Sequence, residues 1–226
     1  MSDSKELWLS RRVSSVDRIE LGLFASADYF HDPRHLIMAG SRYKFCSRMV
    51  DGLGTILEVG CGDGFGAPIL AQGIQRLICT DIDEDTLADN RRRYTEFPKL
   101  NFQYHDFRKG SFSSVEVGEG EIDAACLIDV IEHVFPHEEE NFMRNIVGSL
   151  SSTGILIVGT PNIAAEKYSS ENSREQHVNL KDASSLRGLC EKFFNSIFMF
   201  SMNDEVVHTG YYPMSHYLWA LCAHKK

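Results

Sequence analysis

Acidic residues stand at or near the ends of three short apolar runs that have the character of buried strands. Glu58 lies in the run TILEVG, Asp81 ends RLICTD, and Asp106 ends LNFQYHD. Because the carboxyl ends of parallel strands meet at one edge of a sheet, the three carboxylates are predicted to converge there. Asp81 would accept both hydroxyls of a ribose, Asp106 an adenine amino group, and Glu58 a positive charge. We therefore predict a pocket for a nucleoside that carries a positive charge and no phosphate.

The five residues GCGDG follow the first of these runs and form a glycine-rich turn. Glycine permits positive φ and removes side-chain bulk, so a ligand can lie against bare backbone. The dinucleotide fingerprint has the spacing G-x-G-x-x-G, whereas this chain has G-x-G-x-G after an acid that would repel a pyrophosphate. A nicotinamide dinucleotide is therefore disfavoured. The predicted ligand contacts in this turn are Gly60, Cys61, Gly62, Asp63 and Gly64.

Apolar strand-like runs alternate with helical periodicity, which predicts a mainly parallel sheet with helices on both faces. The predicted strands are residues 55–60, 76–81, 100–106, 122–129, 154–162, 195–204 and 216–225. The predicted helices are residues 67–74, 83–97, 138–150 and 183–194. Only a loop joins the last two strands, and so short a connection permits antiparallel pairing. We therefore predict an α/β, Rossmann-like sheet of seven strands whose last strand is antiparallel.

The length of 226 residues fits a single domain, with residues 51–226 as its core and residues 1–50 as an N-terminal helical lid. The formal net charge of −9 disfavours nucleic acid and anionic membranes as partners. The six cysteines form no C-x-x-C pair, the N-terminus lacks the apolar core of a signal peptide, and no apolar run reaches membrane-spanning length. We expect a cytoplasmic protein that is a monomer or a homodimer.

In the order of its motifs, the chain resembles the class I S-adenosylmethionine-dependent methyltransferases. The matching motifs are LEVGCGDGFG, TDID, HDF, IDAACLIDVIEHV and GILIVGTPN, and the resemblance covers roughly residues 42–226. It implies S-adenosylmethionine as the cofactor and adds Ile82 and Phe107 to its pocket. It also implies that Arg42 grips the methionyl carboxylate with help from Tyr43, with Arg34 as the alternative.

The motif IDVIEHV places Asp129 at the end of the fourth predicted strand, with Glu132 and His133 three and four residues later. If a helical turn begins there, the three side chains share one face, and His177, in REQHVNL, is a fourth candidate. Two carboxylates and two imidazoles can bind a divalent cation such as Mg²⁺. His133 as a metal-free base, or as a structural residue, is the alternative.

The pattern D-x-x-E-H with a later histidine resembles two metal-using groups. The first group is the ubiquinone-biosynthesis O-methyltransferases. The second is the small-RNA terminal 2′-O-methyltransferases, and only this second group normally carries Glu where Asp129 stands. By this resemblance the metal would hold the acceptor hydroxyl and lower its pKa.

We predict methyl transfer to a hydroxyl of a small molecule, such as a sugar, a nucleotide-linked sugar or a phenol. The alternatives are N-methylation of a small molecule and, less favoured by the net charge, 2′-O-methylation of RNA. The catalytic candidates are Asp129, His133, His177 and His208. The residues that would line the acceptor pocket, or else pack or face solvent, are Tyr211 and Tyr212 beside His208, and Phe24, Tyr29 and Phe30 in the lid.

Overall fold

The computed structural model describes residues 3–10, 18–113 and 121–226, apart from the side chain of Asn172. Residues 1–2 and 11–17 of the predicted lid lie outside this part of the chain. The described helices are α1 (Ser4–Ser10), α2 (Leu23–His31), α3 (Pro33–Met49), α4 (Ala67–Leu70), α5 (Glu84–Arg93), α6 (Glu139–Ser149), α7 (Glu171–Gln176) and α8 (Ala183–Glu191). Short 3-10 helices span Ile131–His133, Ile163–Tyr168 and Tyr212–Met214. The strands are β1 (Thr55–Val59), β2 (Arg76–Asp81), β3 (Leu100–Tyr104), β4 (Ile122–Ile128), β5 (Leu150–Pro161), β6 (Phe194–Asn203), β7 (Val206–His208) and β8 (Tyr217–Lys225).

These strands form one sheet in the order β3-β2-β1-β4-β5-β8-β6-β7. Strands β1 to β5 pair in parallel, and β8 inserts antiparallel between β5 and β6. The prediction of a mainly parallel Rossmann-like sheet with an antiparallel last strand is confirmed. The parallel strands bring the residues after β1, β2, β3 and β4 to the same edge.

The predicted number of seven strands is wrong, since the described residues form eight. The additional strand, β7, lies in the segment predicted as a loop and pairs antiparallel with the end of β6. It has only three residues, too few for an alternating apolar pattern to stand out in the sequence.

Side chains that alternate along the central strands fill two separate cores. Leu57 and Val59 of β1 face the core beneath α6 and α8, whereas Ile56 faces the core beneath α3, α4 and α5. The sheet is therefore buried on both faces, as expected from its apolar strands. No described helix is long and apolar enough to cross a membrane.

Two helices beside the sheet are shorter than predicted. Helix α4 is a single turn, and Gly73, at φ 78°, lies in the turn that leads from it to β2. Helix α5 begins after Asp83, whose side chain accepts hydrogen bonds from two backbone N–H groups, and ends before Tyr94, which stacks on Phe102 of β3. Both helices nevertheless start close to the carboxyl edge of the sheet, where the predicted site lies.

Helix α3 connects the N-terminal segment to the core. It begins at Pro33, which suits the first helical position. Phe45 packs on Trp219 of β8 with 4.7 Å between ring centroids, and Cys46 is fully buried. This packing positions the residues of α3 beside the sheet, whereas closure of the segment over a ligand stays a prediction.

Candidate functional site

The glycine-rich turn connects β1 with α4. Gly60, Gly62 and Gly64 have φ of 71°, 51° and 70°, a region that glycine enters without steric cost. A Cβ added at Gly62 would meet only Phe24, at 4.0 Å, whereas a Cβ at Gly60 would lie 2.7 Å from Val130. Gly62 therefore leaves room for a ligand, and Gly60 serves the close packing of the turn.

Hydrogen bonds from β2 and α5 hold this turn in place. The Asp81 carboxylate accepts the N–H of Gly62 at 2.9 Å, and the Asn90 amide donates to the Gly62 carbonyl at 2.7 Å. Arg93 donates to the carbonyl of Asp63 at 2.6 Å. Because side chains of β2 and α5 fix the backbone of the turn, the turn is preorganised for a ligand.

Asp63 links the same turn to helix α2. Its Oδ2 accepts the backbone N–H of Ala25 at 2.7 Å. The N-cap residue of α2, Gly22, supplies no side-chain oxygen, so Asp63 takes the role of a cap from another part of the chain. A Cβ on Gly22 would lie 2.4 Å from the Cβ of Asp63, which explains the glycine. Asp63, predicted as a cofactor contact, thus also attaches the N-terminal helix beside the pocket.

At the end of β2, the carboxylate of Asp81 already accepts backbone hydrogen bonds, whereas the side chain of Ile82 stays open to a ligand. Oδ1 of Asp81 accepts the N–H groups of Ile82 and Asp83, at 2.7 and 3.1 Å. The side chain of Ile82 is exposed and is therefore available to cover a flat base.

At the end of β3, Asp106 and Phe107 are already engaged within the protein. Arg108 donates to both carboxylate oxygens of Asp106, at 2.8 and 3.0 Å, and these hydrogen bonds are the main cause that lowers the pKa of Asp106 to about 2. Phe107 is buried in the core against Phe142. In this structure Asp106 presents an ion pair, and Phe107 is a packing residue.

Glu58 is buried, and neither of its carboxylate oxygens has a hydrogen-bond partner among the described residues. Burial raises the pKa of Glu58 to about 7; the nearby Cys79 thiol and Tyr43 hydroxyl limit the rise, and the charge of Asp81 adds to it. The Tyr43 ring packs against Gly66. Cys61, in the turn itself, is also buried. Because burial favours the neutral acid, a positively charged group nearby would favour the ionised form of Glu58.

Arg42, from α3, and Asp129, which follows β4, form an ion pair. Nη1 of Arg42 donates to Oδ2 of Asp129 at 2.6 Å, and the guanidinium lies over the Tyr217 ring, 4.2 Å from its centroid. Burial is the largest single influence and would lower the pKa of Arg42, but the charge and hydrogen bond of Asp129, together with Tyr217 and Glu132, outweigh burial and raise that pKa. Arg34, the alternative anchor, is exposed and 3.5 Å from Asp32.

Asp129 itself has an unusual backbone and an unfilled oxygen. Its φ of 58° lies in the left-handed region, where aspartate is found more often than most residues. Its Oδ1 is buried and has no partner among the described residues. A guanidinium beside a carboxylate with an open oxygen complements the carboxylate and ammonium groups of an amino acid.

Glu132, His133 and His177 come together, with one possible ligand atom of each within 4.8 Å of the others. This set does not include the fourth predicted ligand, Asp129, whose carboxylate faces Arg42. The expected helical turn is the 3-10 helix Ile131–His133, in which Glu132 is buried and His133 is exposed. Glu132 and His133 are adjacent in this turn, and His177, from after α7, completes the set.

The members of this set have distinct hydrogen bonds. Oε2 of Glu132 accepts the Thr160 hydroxyl at 3.0 Å, while Oε1 is buried and has no partner among the described residues. Burial and the charge of Asp129 raise the pKa of Glu132 to about 8. Nδ1 of His133 lies 3.1 Å from the Gln176 carbonyl oxygen, which can only accept, so Nδ1 carries the proton and Nε2 holds a lone pair. Burial and the neighbouring His133 lower the pKa of His177, which favours its neutral form.

A cleft of about 1030 Å³ opens onto these residues. The carboxylates that line it are Asp28, Asp32, Asp129, Glu132, Glu166 and Asp204. The imidazoles that line it are His35, His133, His177 and His216. Arg42 is the single guanidinium or ammonium group among the described residues of the lining.

Sequence reasoning did not single out six of these groups, which are Asp28, Asp32, Glu166, Asp204, His35 and His216. Nδ1 of His35 lies 2.9 Å from the Asp28 carboxylate across the junction of α2 and α3. Nε2 of His216 accepts the N–H of Asp204 at 3.2 Å, and burial together with the charge of Arg42 lowers its pKa. No motif signals these residues, because only the turn at Asp32, the 3-10 helix after β5 and the end of β6 bring them to the cleft.

Neither His208 nor the aromatic residues predicted for the acceptor pocket are among the described residues that line the cleft. His208, on β7, pairs with Ser201 and is not among the described residues that line the cleft. Tyr211 is exposed, whereas Tyr212 is partly buried with its hydroxyl 3.4 Å from the Met199 carbonyl oxygen. The exposed aromatic residues of α2 are Phe24, Tyr29 and Phe30.

Residues 57–158 match the family model described as a methyltransferase domain. A probable S-adenosylmethionine-dependent methyltransferase of Mycolicibacterium smegmatis is 33% identical over 107 residues, which are 47% of this chain and 38% of that protein. The matched stretch thus spans well under half of that relative. Residues 57–158 are thus similar to a methyltransferase domain, and the matched relative is named as S-adenosylmethionine-dependent, as the motifs predicted.

Solved structures share the fold at low identity. The N-methyltransferase NodS from Bradyrhizobium japonicum WM9, in complex with S-adenosyl-L-homocysteine, has a TM-score of 0.64 at 16% identity and covers 98% of this chain and 99% of its own. A chain from the complex of the Haloferax volcanii Trm112 methyltransferase activator with a putative methyltransferase has a TM-score of 0.66 at 15% identity, covering 93% and 100%.

Proposed function

We propose that this protein is an S-adenosylmethionine-dependent methyltransferase and that it transfers the methyl group to a hydroxyl of a small-molecule acceptor. The observation that carries the proposal is the pairing of Arg42 with Asp129 in a site that also contains the glycine turn held by Asp81. The acceptor would occupy the cleft beyond this ion pair.

The residues fit the methyl donor on three points. The open face of Gly62 and the exposed Ile82 would take the nucleoside, with Asp81 at its ribose. The free Oδ1 of Asp129 would accept the methionyl ammonium, and Arg42 would hold the carboxylate. The pairing of a guanidinium with an unfilled carboxylate oxygen suits a zwitterion better than a phosphate.

When bound, the donor supplies a methyl group on a sulfonium, whose S–CH₃ bond breaks as the acceptor oxygen forms its bond to carbon. The chain must orient the acceptor and remove its hydroxyl proton. Nε2 of His133 holds a lone pair that can take this proton, and the neutral His177 beside it can do the same. Both line the cleft, so the base is a member of this pair.

A divalent cation is a second way to activate the hydroxyl. Oε1 of Glu132, Nε2 of His133 and a nitrogen of His177 would supply one oxygen and two nitrogen ligands, a donor set that suits several divalent metals. The unpartnered Oε1 is the observation that favours this variant. A cation bound there would lower the pKa of an acceptor hydroxyl.

N-methylation is the competing reaction. The structural neighbour NodS is an N-methyltransferase by its name, and the acidic lining of the cleft suits an amine. An amine needs orientation and loss of one proton, so substitution of the histidines would affect it less than it would affect a hydroxyl acceptor.

The donor is tested by calorimetry and thermal shift with S-adenosylmethionine, S-adenosyl-L-homocysteine and NAD as separate ligands. We expect the first two to raise the melting temperature and NAD to leave it unchanged, because a ligand stabilises the state that it binds. Stabilisation by NAD alone would refute the proposal.

The cation is tested by titrating Mg²⁺ and Mn²⁺ into the S-adenosyl-L-homocysteine complexes of the parent protein and of His177→Gln. Heat of binding in the parent that is absent in the variant supports the metal route. Full methyl transfer in excess chelator, with no metal retained, would leave His133 or His177 as a metal-free base.

A further inference from the structure

We propose that the acceptor carries a cationic nitrogen and no phosphate, and that the carboxylates of the cleft, with Glu132 at its floor, recognise this nitrogen. This inference rests on the proposed function and deepens it, because it names the chemical class of the acceptor. It narrows the earlier set of sugars, nucleotide-linked sugars and phenols to amine-bearing molecules. It concerns recognition, so the nitrogen and the methylated atom can be different atoms.

The lining of the cleft carries more carboxylates than guanidinium or ammonium groups. Six carboxylates stand against the guanidinium of Arg42 in the described lining, and the four imidazoles are the other ionisable cationic groups. The raised pKa of Glu132 keeps that acid largely protonated at neutral pH, which leaves five carboxylates against Arg42, while burial favours the neutral forms of His177 and His216. A concave surface with one sign of charge raises the local concentration of ligands with the opposite sign.

The one guanidinium of the lining is not available to an acceptor anion. Arg42 is paired with Asp129 at 2.6 Å and covered by Tyr217, and under the proposed function its remaining donors hold the methionyl carboxylate of the methyl donor. The N-terminus of α3, another place where an anion could bind, carries the carboxylate of Asp32. A phosphate in the cleft would therefore meet carboxylates on several walls and no unpaired guanidinium or ammonium among the described lining residues.

Glu132 has a buried oxygen that lacks a hydrogen-bond donor among the described residues, which points to a bound group independently of the charges that line the cleft. Glu132 is fully buried, its Oε2 is engaged by Thr160, and its Oε1 has no partner among the described residues. A buried acceptor atom without a donor costs free energy, which a ligand N–H group or cation removes. Glu132 is also one of the residues that line the cleft, so the acceptor is the ligand that we expect to supply this donor.

The carboxylates are distributed so that a cation meets them along its entry path. Asp28 and Asp32 lie at the end of α2 and the start of α3, and Glu166 lies on the 3-10 helix that follows β5. Glu166 is exposed, and so is Asp32. These outer groups would attract the acceptor, whereas Glu132 would hold it.

The test does not require the identity of the acceptor. A bacterial small-metabolite extract is separated by ion exchange into cation-retained, neutral and anion-retained fractions. Each fraction is incubated with the full chain and S-adenosylmethionine labelled in its methyl group. We expect labelled product from the cation-retained fraction. Product from the anion-retained or neutral fraction alone, or no product from the cation-retained fraction, would overturn the inference.

Two variants link the result to the cleft. In Asp32→Asn/Glu166→Gln we expect the apparent KM for the active fraction to rise several-fold with little change in kcat, and the difference to shrink at high salt. The matched control is Glu96→Gln, which removes an exposed glutamate outside the cleft and should leave both constants unchanged. An unchanged KM in the double variant counts against the inference.

Binding of S-adenosyl-L-homocysteine, measured in parallel by calorimetry, separates this inference from the proposed function. Loss of S-adenosyl-L-homocysteine binding refutes the donor assignment. Intact S-adenosyl-L-homocysteine binding with product from the anion-retained fraction refutes only the acceptor class.

Discussion

At the scale of single residues, the ion pair of Arg42 and Asp129 has the largest consequences for the proposed reaction. It joins the N-terminal helix α3 to the end of β4, and it leaves Oδ1 of Asp129 open. Arginine suits this position because its planar group can both pair with a carboxylate and stack on Tyr217. A lysine would keep the charge and lose the stacking and the fork of donors.

We therefore expect Arg42→Lys to weaken binding of S-adenosyl-L-homocysteine at least tenfold, or about 1.4 kcal/mol. Calorimetric titration measures the change directly. The matched control is Arg48→Lys, on the exposed side of the same helix, which should bind as the parent does. Equal affinities in the two variants would show that Arg42 does not contact the donor.

At the scale of elements, the glycine turn and helix α2 depend on hydrogen bonds that cross the chain. Asp81 of β2 fixes the N–H of Gly62, and Asp63 of the turn fixes the N–H of Ala25 in α2. The sheet thus fixes the glycine turn through Asp81, and the glycine turn fixes helix α2 through Asp63. Changes in this chain of contacts should affect ligand binding and local order separately.

Gly62→Ala should separate backbone strain from ligand exclusion. Both Gly62 and Gly52 have positive φ, at 51° and 83°, and neither has a protein atom close to an added Cβ. Alanine at either position should cost about 1–2 kcal/mol of unfolding free energy. Only Gly62→Ala should also weaken binding of S-adenosyl-L-homocysteine, because the methyl group of the new alanine would enter the pocket. Chemical denaturation and calorimetry on both variants give the comparison, and equal affinities would contradict the site.

Asp63→Asn should loosen helix α2 without unfolding the domain. The substitution weakens the charge-assisted acceptor for the Ala25 N–H at the start of the helix. We expect faster amide hydrogen exchange in α2, with the strands unchanged. The comparison is Asp83→Asn, which alters the cap of α5 and should affect exchange in that helix instead. Unchanged exchange in α2 would show that other contacts hold it.

At the scale of the whole molecule, the buried acids couple stability to pH. The pKa of Glu58 is raised to about 7 by burial, so the folded protein binds a proton that the unfolded chain has released above pH 4.5. The stabilisation is fully present below pH 4.5 and is lost as pH rises through 7. Glu132, with its pKa raised to about 8, acts in the same direction.

Glu58→Gln should therefore flatten the pH dependence of stability. Glutamine resembles the protonated acid and does not titrate, so the variant should lose less stability than the parent between pH 4 and 8, by up to about 3 kcal/mol. Denaturant titrations of both proteins across this range measure the difference. Parallel curves for the two proteins would show that Glu58 is solvated or compensated in solution.

Sequence alone determined the parts that depend on local order along the chain. The alternation of apolar runs predicted the parallel sheet and its antiparallel last strand, and the turn GCGDG predicted positive φ at Gly60, Gly62 and Gly64. These features follow from periodicity and from the steric freedom of glycine, which each stretch of chain carries by itself.

The tertiary structure decided which side chains meet. It paired Arg42 with Asp129, engaged Asp106 with Arg108, and joined Glu132 with His133 and His177. It also brought to the cleft His35 and His216, which no motif marks, and left out His208. These outcomes depend on contacts between residues far apart in the chain and on burial, and neither can be read from spacing along one segment.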